Sequence, residues 1–146
     1  KLLIEYGAKV NTRLRDGTTP LMIAANMGDF ELVKFLLENG AKINKKAQNG
    51  TTALWIAVTR RHSPIAMLLI ENGAHVDIIN KDIDVSILMI ASQNGHTEIV
   101  RLFCEWGSDI NLMVAIGGKE YSALMLAERN RWKEASGVLE SVGAKE

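Results

Sequence analysis

The residues of this 146-residue chain with reactive or metal-binding side chains are few: three histidines, one cysteine and some acidic pairs. His62, His75 and His96 share no metal-ligand spacing, so each reads as a surface or inter-helix-turn histidine rather than a ligand. Cys104 lies between Phe103 and Trp106 on a helical pattern, with no histidine placed to activate it. That context suits core packing and not nucleophilic catalysis. Gly117-Gly118-Lys119 lacks both the leading glycine and the following Ser/Thr of a phosphate loop, and reads as part of a long hairpin over 111–121. Asn49-Gly50-Thr51 has the pattern of a glycosylation acceptor but falls on a turn, where the match is idle. Asp82 and Asp84 share a turn with no cleft implied. The expectation is therefore no catalytic residue, no metal and no cofactor, and a chain that is not an enzyme.

The elements that carry these residues follow a period. Gly7, Gly40, Gly73, Gly107 and Gly143 are spaced by 33, 33, 34 and 36 residues, and Leu21, Leu54, Leu88 and Leu124 by 33, 34 and 36. Two landmarks that keep step are the signature of a repeat architecture. The regular copy runs from Asp16 to Asn44. Asp16-Gly17 is a turn signal, Thr18 or Thr19 supplies a hydroxyl cap, and Pro20 occupies a first-turn site where its missing N–H is harmless. A first helix is predicted over Pro20–Asn26, with small Ala24 and Ala25. Gly28-Asp29 breaks it. A second is predicted over Phe30–Glu38, with Leu32, Val33, Leu36 and Leu37 at helical spacing, closed by Gly40 in a left-handed conformation. Helices this short are marginal alone, so stacking of successive units must hold them.

These residues resemble the ankyrin family over nearly the whole chain. The family motif T-P-L-H-x-A stands here as Thr19-Pro20-Leu21-Met22-Ile23-Ala24. Looser copies are Thr52-Ala53-Leu54-Trp55-Ile56-Ala57, Ser86-Ile87-Leu88-Met89-Ile90-Ala91 and Ser122-Ala123-Leu124-Met125-Leu126-Ala127. The Gly-Ala and Asp/Asn half of the motif appears in Gly40-Ala41-Lys42-Ile43-Asn44, Gly73-Ala74-His75-Val76-Asp77 and Gly107-Ser108-Asp109-Ile110-Asn111. The resemblance implies an all-α solenoid of stacked antiparallel helix pairs with β-hairpin-like turns. It divides 1–146 into a partial repeat at 1–13 and repeats at 14–46, 47–79, 80–113 and 114–146.

Lys1–Gly7 matches Lys34–Gly40 one period on, so the sequence opens inside a second helix and is expected to be a fragment of a longer array. Glu128, Glu134, Ser136 and Gly137 replace small or apolar residues in the last unit, as in a capping repeat, and the array is expected to stop near Glu146. Seventeen basic residues balance seventeen acidic ones, which gives no overall attraction to nucleic acid or anionic membrane. No apolar run reaches the roughly 18–20 residues of a membrane span. One cysteine excludes an internal disulfide. A monomer in the cytoplasm or nucleus is expected.

The resemblance also implies a concave contact surface made by the turn tips and the exposed side of the first helices. Mapped residue by residue, the first full unit places Arg15, Asp16, Thr18, Asn26 and Met27 there. The second places Gln48, Asn49, Thr51, Trp55, Thr59 and Arg60, and the third Asp82, Ile83, Val85, Gln93 and Asn94. The last places Lys119, Tyr121, Arg129 and Asn130. Two departures from the family stand out. Met22, Trp55, Met89 and Met125 replace the motif histidine, either filling buried space or forming an apolar stripe for a partner. Arg61 and Arg131 replace the glycine seen as Gly28 and Gly95. With Arg60, His62, Arg129 and Lys133 they make either a basic lip facing an acidic segment of a partner or a solvated cationic rim. The expected function is a protein–protein interaction module, an adaptor or scaffold. The alternative is a regulatory or targeting domain of a larger protein such as a kinase, a ubiquitin-ligase component or a channel.

Overall fold

The structure, a computed structural model, describes residues 9–76, 79–80 and 85–145. The matched segment at Lys1–Gly7 and the residues Asp77, Asp82, Ile83 and Asp84 lie outside it. Two compact units divide the chain, Lys1–His75 and Val76–Glu146.

In the first unit, helices α1 (Pro20–Met27) and α2 (Phe30–Glu38) form one antiparallel pair, and α3 (Ala53–Thr59) and α4 (Ser63–Glu71) form the next. First helix packs on first helix and second on second: α1 against α3, α2 against α4. The sequence dictates this closeness. Ala24, Ala25 and Ala57 are fully buried and leave room for the backbones to approach, while Leu21, Val33, Leu36, Leu54, Ile65 and Leu69 fill the space between layers.

The second unit repeats the plan with α5 (Ile87–Gln93), α6 (Thr97–Glu105), α7 (Ala123–Arg129) and α8 (Lys133–Ser141). Helix α5 packs on α7 and α6 on α8, around Leu88, Ile99, Phe103, Leu124 and Leu139. Two short antiparallel ladders belong to this unit. Strand β1 (Ile79–Asn80) pairs with β2 (Val85–Ser86), and β3 (Val114–Ile116) with β4 (Lys119–Tyr121) in the register Val114 to Tyr121. Gly117 and Gly118 join β3 to β4, both with positive φ, the arrangement of a tight two-residue hairpin turn. Gly117-Gly118-Lys119 thus lies in a hairpin, as its sequence implies.

Each first helix starts the same way. Thr19, Thr52, Ser86 and Ser122 accept hydrogen bonds from the backbone N–H groups of Met22, Trp55, Met89 and Met125, at 3.3, 3.1, 3.2 and 3.2 Å. Of the two candidate threonines, Thr19 is the cap. The predicted bounds of α2 match those observed, and α1 runs one residue further than predicted, to Met27.

Candidate functional site

The turn tips of the first unit are tied to one another. Gln48 donates its backbone N–H to the Asp16 carbonyl at 2.9 Å and its side-chain amide to the Arg15 carbonyl at 2.9 Å. Arg13 donates to the carbonyls of Gly17 (3.3 Å) and Lys46 (2.7 Å). Each tip closes on a local acceptor: Thr18 N–H donates to the Asp16 carboxylate at 2.9 Å, and Thr51 N–H to the Asn49 side-chain oxygen at 3.1 Å. The Thr18 backbone N–H holds the Asp16 carboxyl below the usual aspartate range, with help from the Thr18 hydroxyl. The tip therefore presents an ionised carboxylate in a fixed orientation.

Between these tips lies an open groove of about 380 Å³. Asp16, Thr18, Gln48, Asn49 and Thr51 line it, and Met22 and Ile56 also reach its wall. Five expected contact residues from two repeats are thus gathered in one place. It is a recess with one carboxylate, two hydroxyls and two amides, suited to recognising polar groups of another chain and not to bond chemistry.

The ends of the first helices behave differently. Asn26 accepts from Arg60 Nε at 2.9 Å, so these two expected contact residues hold each other across successive repeats. The Thr59 hydroxyl donates to carbonyls of its own helix, as do the side-chain amides of Asn94 and Asn130. Gln93 is exposed but supplies its carbonyl to the Trp132 indole N–H at 3.0 Å. Met27 is exposed. Lys119 is exposed on β4. Arg129 stacks 5.5 Å from the Tyr121 ring centre and donates to its hydroxyl at 3.1 Å, a cation–π pair that fixes the guanidinium.

Two expected contact residues are not surface residues. Trp55 is 7% exposed and Val85 is 7% exposed. Trp55 enters α3 three residues after its capping threonine, which turns the indole inward, and Val85 sits in the β1–β2 ladder at the foot of its tip. Met22 and Met89 are buried as well, whereas Met125 is half-buried. Space-filling accounts for this position in the first three repeats. Asp82 and Ile83 lie outside the described residues.

The inter-helix turns hold what sequence reasoning missed. Gly28, Arg61, Gly95 and Arg131 all adopt left-handed φ, at 73°, 63°, 66° and 61°. The arginines do not reshape the turn. They enter the glycine conformation at a cost of roughly 1–2 kcal/mol. A Cβ on Gly28 would meet the His62 ring at 2.7 Å, and one on Gly95 would collide with the Trp132 ring. Each ring comes from the next repeat, so these glycines are needed for space as well as for φ. No sequence period announces a ring lying over a glycine one repeat away.

The chemistry-bearing residues are scattered. His75 is exposed, His62 covers Gly28, and His96 is buried. Burial pushes the Cys104 thiol above its ordinary range, which weakens it as a nucleophile. Among the described residues no three His, Cys, Asp or Glu side chains converge as a metal site would require, and no helix is long and apolar enough to cross a membrane.

A family model described as ankyrin repeats in three copies matches residues 1–80 and 43–114, together more than half of the sequence. The chain belongs to the ankyrin repeat family. No curated protein matches it. Ankyrin repeats are in general protein–protein interaction modules without enzymatic activity of their own, and the stacked helix pairs with capped first helices are that architecture.

Proposed function

We propose that this ankyrin array is an adaptor or scaffold that grips a partner protein with its turn tips and the exposed side of its first helices. What supports the reading is the groove of about 380 Å³ between the first two tips, where side chains from both repeats converge. The hydrogen bonds from Gln48 and Arg13 hold the tips in place before a partner arrives, which lowers the ordering cost of binding. Exposed Arg15 and Met27 extend the surface beyond the groove.

The test is a photo-crosslinking amino acid placed at Asn49 in one variant and at Glu71, the exposed end of α4, in another. An adduct with a defined protein from Asn49 and none from Glu71 supports the reading. An adduct from Glu71 alone moves the site off the tips, and no protein adduct from either position counts against a tip-mediated adaptor.

A further inference from the structure

We propose that the inter-helix turn between α7 and α8 docks an acidic segment of a partner protein, its carboxylates held by Arg131 and Lys133 against the Trp132 ring. The inference rests on the reading of the chain as a protein-binding module, but it uses a different surface from the tip groove.

Three observations carry it. The first is that Arg131 occupies a position whose backbone favours glycine. Arg131 N–H donates to the Glu128 carbonyl and Trp132 N–H to that of Ala127, at 2.8 and 2.9 Å. The glycine turn makes the same pair, from Gly95 to Ser92 and from His96 to Ala91, at 3.2 and 2.9 Å. Fold geometry therefore gives no reason for an arginine here. Strained residues held for no structural gain point to a contact made by the side chain.

The second is that the Arg131 guanidinium is exposed and engages no other described residue. Arg60 and Arg129, by contrast, are held by Asn26 and Tyr121. A free planar guanidinium is the side chain best suited to a two-point grip on a carboxylate.

The third is the shape beside it. A groove of about 390 Å³ is lined by Gly95, Thr97, Arg131, Trp132, Lys133 and Glu134. Trp132 is 44% exposed, yet its indole is fixed by the bond to the Gln93 carbonyl and by its seat on Gly95. It is a rigid apolar wall beside two cations. Among the described residues Glu134 is the one acid lining the groove, and both it and Lys133 also line the neighbouring recess, with Glu98 and Arg101. An extended acidic peptide fits this arrangement: carboxylates on the cations, a hydrogen bond from Thr97, methylenes on the indole. A nucleic acid would call for a longer basic stripe than two side chains, on a chain whose charges balance.

The experiment titrates the 146-residue chain into a fluorescein-labelled peptide of aspartate, glutamate and glycine and reads polarisation at low salt. Saturable binding is expected, reduced by added salt and absent with the amide counterpart of the peptide. Arg131→Gly and Lys133→Gln should each weaken it about five-fold, the upper range for an exposed charge pair. Arg131→Gly should melt no lower than the parent, since glycine suits that backbone. Unchanged binding in both variants, or no saturable binding by the parent, overturns the proposal. Loss with Thr51→Trp in the tip groove, but not with Arg131→Gly or Lys133→Gln, overturns it while leaving the module reading in place. Tighter binding of a single-stranded RNA than of the acidic peptide overturns the assignment to a protein partner.

Discussion

At the C-terminal end of each second helix the two units of this molecule place different residues on the same backbone. In Lys1–His75 the position holds Asn39 and Asn72, each folding its amide back onto a carbonyl of its own helix at 2.8 Å. In Val76–Glu146 it holds Trp106 and Val142, 51% and 46% exposed. Inside, the contrast runs the other way. Where the first unit has Ala25 and Val58 the second has Ser92, and where the first has Ala41 and Ala74 the second has Ser108. Both hydroxyls are buried with no hydrogen-bond partner among the described residues. The hydroxyl caps and left-handed turns, however, are kept in both units. Positions that set the backbone hold their character, and those that only meet a neighbour or solvent drift. At these positions the second unit sets polar groups inside and apolar ones outside, where the first does the reverse.

The largest expected effect tests whether turn glycines serve one purpose or two. Gly95→Val combines a strained φ with collision against the Trp132 ring, whereas Gly40→Val meets open space and carries strain alone. We expect losses of about 4 kcal/mol for the first and about 2 kcal/mol for the second. In thermal melts that is roughly 10 °C against 5 °C. Equal losses would mean the ring moves aside freely. Next, Asn44→Ala removes two bonds to the following repeat, to the Gly73 carbonyl and from the His75 N–H, both 2.9 Å. A fall of about 1–2 kcal/mol in denaturant unfolding is expected, and no change would show that water replaces both bonds at no loss.

How much of this could be read from the sequence follows from what each feature depends on. The helix bounds of α1 and α2 were legible because caps, proline, glycine and apolar spacing are local signals. So were the tip residues Asp16, Thr18, Asn49 and Thr51, since Asp16-Gly17 is a local turn signal and the family resemblance places its counterpart on the next turn. Trp55 and Val85 were misplaced because exposure is decided by what packs opposite, and a motif position does not carry that. Arg61 and Arg131 were visible as substitutions, but only the φ angles show that they keep the glycine conformation. Nor does the sequence say that Asn26 would be spent on Arg60.

Two smaller effects sharpen the contrast between units. Ser92→Ala and Ser108→Ala should each raise stability by about 1 kcal/mol by removing a hydroxyl buried without a partner. A loss in calorimetry would reveal a bond the geometry does not show. The smallest effect concerns the tip of the first repeat. The Asp16 carboxyl is depressed in the folded state, so its contribution is complete above the ordinary aspartate range and fades as pH falls through the folded value. The parent should therefore lose slightly more stability than Asp16→Ala between neutral and strongly acidic pH. Parallel melting curves for the two would sink that assignment.

The asparagines that join repeats have a further consequence. Asn11 donates to the Gly40 carbonyl and accepts from the Lys42 N–H, at 3.0 and 2.7 Å, Asn44 does the same with Gly73 and His75, and Asn111 accepts from the Lys145 N–H at 2.9 Å. Every partner is a main-chain group. The joint is therefore indifferent to the side chains on its far side, and it uses only the carbonyl of a left-handed glycine and the main-chain N–H two residues on. A gene that duplicates, deletes or shuffles such segments keeps this joint intact, although a ring such as that of Trp132 still needs a glycine in the repeat before it. At the asparagine joint itself, lengthening the array requires no co-evolving pair of side chains.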